Sequence, residues 1–121
     1  MLTASAGAQT IVEARAPALC PKVDAAQVDA LRADGALVID TRLAEDYAAG
    51  HIEGAISLPV DAGDAIVEAL RAVRPDTSLV LYCQSASCPL SGMVAKRLLK
   101  VGYQNVYLYT GGWEDWQAHG H

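Results

Sequence analysis

The chain has 121 residues, 52% of them hydrophobic and 19% charged. That length buries roughly two-thirds of the unfolded surface, enough for one core, and the apolar content excludes a disordered chain. Nine basic residues against fourteen acidic ones leave a net charge of -5, which argues against a nucleic-acid-binding surface or a polybasic membrane patch.

No apolar run approaches the roughly 18 residues of a spanning helix, so no membrane-spanning segment is expected in the chain. The N-terminus lacks the basic region and long apolar stretch of a signal peptide. A cytoplasmic compartment is favoured, and a periplasmic one stays open if an upstream signal or anchor was removed. Three cysteines are too few for a disulfide scaffold, so Cys20, Cys83 and Cys88 are read by position.

Residues 1–22 read as an N-terminal arm, partly ordered, Ala-rich and without sustained period. Within it Ile11 and Val12 are candidates to pair with a sheet edge. A domain is expected over 23–119, followed by a tail at 120–121. Asp24 and Gln27 form a capping pair ahead of a short helix carrying Val28 and Leu31, which stops at Gly35. Ala36 to Ile39 is a continuous apolar run, suited to a strand buried on both faces. Leu43 to Ala49 reads as a helix closed by Gly50, and Ala55 to Leu58 as a short strand. Asp61 to Val73 reads as one helix, with Ile66, Leu70 and Val73 on a single face.

Leu79 to Tyr82 is the second buried strand, and a loop runs from Cys83 to Leu90. Ser91 opens a helix with Val94, Leu98 and Val101 on one side and cations in its last turn. Asn105 to Tyr109 is a strand, Gly111-Gly112 a turn, and Trp113 to Ala118 a last helix. Strands alternating with helices imply crossover connections. The fold class is therefore α/β, with a mainly parallel sheet of about five strands and helices on both faces.

In such a sheet, ligands bind beyond the carboxyl ends of the strands. Cys83 lies there, directly after Tyr82. A curled loop leading into a helix N-terminus aims backbone N–H groups inward and brings the positive end of a helix dipole near the thiol. Both favour a thiolate, the nucleophilic form. Position alone leaves two readings open, a reactive cysteine and a buried, inert one that ends a strand.

Several segments, in order, resemble the rhodanese-like domain family over about residues 23–119. They are Val38-Ile39-Asp40-Thr41-Arg42, Gly50-His51-Ile52-Glu53-Gly54-Ala55, Leu81-Tyr82-Cys83, the helix from Ser91 with Gly102 to Val106, and Gly111-Gly112-Trp113 with Trp116. The resemblance implies a rhodanese-like fold and sulfurtransferase chemistry. A thiolate would take the outer sulfur of thiosulfate or of a persulfide or polysulfide donor. The resulting cysteine persulfide would pass that sulfur to cyanide or a thiol, on a small molecule or a partner protein. No metal or organic cofactor is implied. By this match Cys83 is the nucleophile. Gln84, Ser85, Ala86, Ser87, Cys88, Pro89, Leu90 and Ser91 form the substrate-binding loop, with backbone N–H groups from Ser85 to Cys88 facing the outer sulfur.

The loop departs from the common family pattern. With Ser91 taken as the Ser that follows the family loop, it is two residues longer, and it holds no Arg or Lys. A dianionic donor gains less electrostatic help here, so weak thiosulfate activity is expected. Phosphatase relatives use Cys-x5-Arg, and the sixth residue past Cys83 is Pro89, so that chemistry is set aside. Cys88 has four open roles: to resolve a persulfide, to protect Cys83 as a disulfide, to act as the nucleophile itself, or to pack inward without chemistry. Cys83 is preferred over Cys88 as the nucleophile because Pro89 offers no N–H.

Asp40 and Arg42 are read as braces behind the strand ends, and His51 as a ring packed or hydrogen-bonded at a turn. Trp113 and Trp116 are expected to pack the core. No metal site is expected: there is no Cys-x2-Cys pair, and His119 and His121 sit at the chain end. The rival to the enzyme is a rhodanese-like module without catalysis, used for docking or for redox sensing through Cys83 and Cys88.

Overall fold

A computed structural model describes residues 20–120 of the chain. The expected arm therefore lies mostly outside the described residues, as do Ile11, Val12 and His121. The described elements, in order, begin with β1 (Lys22–Val23), α1 (Ala25–Ala33), β2 (Leu37–Asp40), α2 (Ala44–Ala49) and β3 (Ile56–Ser57). A 3-10 turn (Val60–Ala62), α3 (Ala65–Ala69), β4 (Ser78–Tyr82), α4 (Leu90–Lys100), β5 (Asn105–Tyr109) and α5 (Gly112–Ala118) follow. The strands form one sheet in the order β1-β5-β4-β2-β3, and every pairing is parallel. The two edge strands are two residues long, which leaves little exposed ladder.

Alternation along the strands sorts side chains onto two faces. Ile39, Leu79, Leu81 and Val106 meet Ile66, Leu70, Val94 and Leu98 on one side. Val38, Val80, Tyr82 and Tyr109 meet Val28, Ile52 and Trp116 on the other. Residues such as Leu79, Leu81 and Val80 are fully buried. Truncating either leucine to Ala costs about 2–5 kcal/mol. The runs of consecutive apolar residues arise because both faces of β4 are covered.

Local expectations meet mixed outcomes. The Asp24–Gln27 capping box is present, with both reciprocal bonds at 2.8 Å. The single helix expected over Asp61 to Val73 is instead a 3-10 turn and a short α3. Gly63 sits at φ +63, a left-handed conformation that ends the first turn before the second begins. Ile66 and Leu70 still reach the core, so the apolar spacing is real although the helix is broken. The strand expected at Ala36 to Ile39 is shifted by one residue, to include Asp40. That expected over Ala55 to Leu58 shortens to Ile56–Ser57, and the helix expected from Leu43 starts at Ala44. The helix expected to open at Ser91 starts one residue earlier, at Leu90. Lys22 already pairs with Leu108, so the sheet begins one residue before the expected domain start.

Candidate active site

Three chain segments meet at the carboxyl end of the sheet. The first is the end of central β4, where Tyr82 passes into Cys83. The carbonyl of Tyr82 accepts the Thr41 backbone N–H at 3.0 Å and the Thr41 hydroxyl at 2.8 Å. The second is α5. Its Trp113 N–H donates to the Cys83 carbonyl at 2.9 Å, and its Glu114 N–H to the Gln84 carbonyl at 3.0 Å. These N–H groups open a helix and have no partner within it. Gly112 makes the approach possible. It sits at φ +69, and a Cβ there would lie 2.6 Å from the Cys83 carbonyl oxygen.

The third segment is the end of β2. Asp40 and Arg42 are 0% and 3% exposed, and they form a buried ion pair at 2.7 Å. Arg42 also donates to the Gly50 carbonyl at 2.6 Å and to the Gln84 side-chain oxygen at 3.0 Å. Its guanidinium lies over the rings of Trp113 and Tyr82. Burial alone would lower the Arg42 pKa. The hydrogen bonds and charge of Asp40 outweigh it and hold the guanidinium above its ordinary value. The Tyr82 hydroxyl donates to Asp40 at 2.7 Å and accepts the Ile52 N–H at 3.0 Å. Burial first, then the bond to Asp40, push the Tyr82 phenol well above its usual pKa.

On this floor sits the loop. Cys83 is 2% exposed and is joined by a disulfide to the half-buried Cys88, with Cα atoms 6.2 Å apart. That separation is within the ordinary range for a disulfide. The Cys88 N–H donates to the Ser85 carbonyl at 3.1 Å, and the hydroxyls of Ser85 and Ser87 lie 3.2 Å apart. Among the described residues, the backbone N–H groups of Gln84, Ser85, Ala86 and Ser87 have no acceptor. Pro89 caps the start of α4, and Leu90 and Ser91 form its first turn, with Ser91 buried. The pairing shows that the fold can bond Cys83 to Cys88. The Cys88 N–H, expected to face a bound sulfur, is instead used within the loop.

His51 stacks on Tyr47 with ring centroids 3.7 Å apart, and its Nδ1 lies 2.8 Å from the Tyr47 carbonyl. Trp116 is buried against Tyr109, whereas Trp113 is half-buried over Arg42. Cys20 is half-buried against the core, and burial raises its thiol pKa. Four contributors escape sequence reading: Thr41, Tyr82 through its hydroxyl, the Gly50 carbonyl and Gly112. All four lie in segments that carry the family resemblance, but the motifs assign none of them these contacts. Among the described residues no group of His, Cys, Asp and Glu is placed to hold a metal ion, and no helix is long and apolar enough to cross a membrane.

Residues 24–119 match the family described as Rhodanese-like domain. A thiosulfate sulfurtransferase GlpE of Pseudomonas entomophila is 34% identical over 97 residues, covering 80% of this chain and 84% of that protein. A second, from Pseudomonas fluorescens, is 35% identical over 92 residues, or 76% and 80% of the two chains. The human single-domain sulfurtransferase TSTD1 superposes with a TM-score of 0.68 at 27% identity, over 84% of this chain and 99% of its own. The matched span takes in β2, the cysteine loop and α5, the three segments that build the site, and the chain belongs to the rhodanese-like domain family.

Proposed function

We propose that the reduced chain is a sulfurtransferase that carries sulfane sulfur as a persulfide on Cys83. The observation that carries the reading is the placement of Cys83. It directly follows the central strand and opens a loop whose first backbone N–H groups have no acceptor. Those groups are free to donate hydrogen bonds to an anionic sulfur. The names of the relatives, thiosulfate sulfurtransferases, support the same class of reaction.

The Cys83 thiolate attacks the outer sulfur of the donor. With thiosulfate, the sulfur–sulfur bond of the donor breaks and sulfite leaves with the bonding pair. A thiol or cyanide then attacks the outer sulfur of the persulfide, and Cys83 leaves as thiolate. Arg42 supplies little net charge to this step, because Asp40 neutralises it. The loop itself adds no cation, so turnover with thiosulfate is slow, and a persulfide or polysulfide donor serves better. Asp40 and Arg42 position the loop through Gln84, and His51 braces the turn that carries Gly50.

The test uses the chain reduced by a dithiol and then freed of it. Incubation with thiosulfate or polysulfide adds the mass of one sulfur, and the adduct is absent in Cys83→Ser. Failure of every donor to add sulfur rejects the proposal. The disulfide favours a second reading, a redox-sensing module. That reading predicts reversible loss of two thiols under mild oxidant, abolished in Cys88→Ser, with no sulfur uptake by the reduced chain.

A further inference from the structure

The loop brings a second sulfur to the one atom that matters for turnover. Cys83 and Cys88 are five residues apart, and the disulfide shows that the Cys88 sulfur reaches the Cys83 sulfur itself. The chain around them is held so that this meeting is local. Cys83 and Gln84 are fixed by α5 through two backbone hydrogen bonds, and the Gln84 side chain is held by Arg42. A turn closed by the Cys88 N–H on the Ser85 carbonyl then folds the chain back.

Resting on the persulfide reading above, we infer that Cys88 is a resolving residue, and that the loaded chain releases its sulfur as hydrosulfide without an external thiol acceptor. The Cys88 sulfur attacks Sγ of Cys83 in the Cys83 persulfide. The bond from Cys83 Sγ to the outer sulfur breaks as the bond from Cys88 Sγ to Cys83 Sγ forms. The outer sulfur leaves with the electron pair and takes the proton given up by the Cys88 thiol, so it departs as hydrosulfide. The sulfane sulfur is reduced, the two cysteine sulfurs are oxidised to the disulfide, and charge and atoms balance. A dithiol reductant then restores the chain. Cys83 is shielded while Cys88 is half-buried, so the dithiol attacks Cys88 and frees Cys83 as the leaving thiolate. The products are sulfide and an oxidised dithiol, which sets this activity apart from transfer to cyanide or to a monothiol.

The test is a single turnover without oxygen, in a Cys20→Ala background. The chain is reduced, freed of reductant, exposed to thiosulfate and desalted. The chain with both loop cysteines is expected to release one sulfide per sulfur taken up, and to end at the mass of the reduced form less two hydrogens. Peptide mapping places the cross-link between Cys83 and Cys88. Cys88→Ser and Cys88→Ala take up one sulfur and keep it until a thiol is added. Their sulfide release without thiol is slower by about a hundredfold or more, the loss of an intramolecular attack. A stable sulfur adduct in the chain with both cysteines overturns the inference, as does mapping of the added sulfur to Cys88. If neither variant takes up sulfur from thiosulfate or polysulfide, the Cys83 persulfide reading itself fails, and the inference goes with it.

Discussion

The carboxyl ends of β2 and β4 lie side by side, with Asp40 in register with Tyr82. At the end of β2, the carboxylate of Asp40, the guanidinium of Arg42 and the hydroxyl of Thr41 are all buried and all partnered. From two residues past the end of β4 the pattern reverses. Four successive backbone N–H groups have no acceptor among the described residues. A fully satisfied network is rigid because moving any member strands a buried polar group. A row of unsatisfied donors is costly unless water or a ligand meets it. The pair thus sets a floor whose polar groups are all met beside a loop whose donors are open.

The largest effect comes from breaking the floor. Asp40→Ala leaves the Arg42 charge buried without its partner and is expected to cost about 3–5 kcal/mol in urea unfolding. A loss under about 1 kcal/mol would mean that the network relaxes and does not set the loop. Next is Gly112→Ala. It forces an L side chain into positive φ and a Cβ against the Cys83 carbonyl, for roughly 1–3 kcal/mol. Sulfur uptake by the reduced protein should fall with it. Unchanged uptake would show that α5 supports the sheet and not the loop.

Tyr82→Phe removes the acceptor of the buried Ile52 N–H and a donor to Asp40, at about 1–3 kcal/mol. It also has a pH signature. The ordinary phenol pKa is 10.0, and burial raises that of folded Tyr82 and Tyr109 above it. Above pH 10.0 the unfolded chain releases protons that the folded chain retains, so stability falls as pH rises from there. Urea midpoints at rising pH should drop less steeply in Tyr82→Phe, and parallel curves would remove Tyr82 from the alkaline transition. The smallest effect belongs to the link between floor and loop. Gln84→Met removes one hydrogen bond to Arg42 at a half-buried position, costing about 1 kcal/mol or less. A larger loss would make floor and loop one cooperative unit.

The contrast between the strand ends also explains what sequence reading reaches. Leu79 to Tyr82 is legible because both faces of β4 are covered, and the run is bounded by loop residues. The place of Cys83 is legible because a strand end in a parallel sheet is a place, and the motif order supplies the chemistry proposed for it. The reach of Arg42 to Gln84 is not legible, because it joins residues 42 positions apart across a sheet whose order no local pattern reports. The hydroxyl of Tyr82 is hidden for a related reason. The alternation that buries the ring says nothing of the carboxylate it meets. The break in the expected helix over Asp61 to Val73 is masked by apolar spacing, since Ile66 and Leu70 bury equally well from a turn and from a helix. The meeting of Cys83 and Cys88 sits between these cases: their spacing permits it, and only the fold of the loop decides it.

The hydrogen bond from Trp113 to the Cys83 carbonyl has a consequence for biosynthesis. A ribosome delivers β2, β4 and the loop cysteines long before it delivers Gly112–Ala118. Until that last segment emerges, the backbone of Cys83 and Gln84 lacks the two donors that fix it. The cysteine loop of the nascent protein therefore stays without this anchor until α5 has been made.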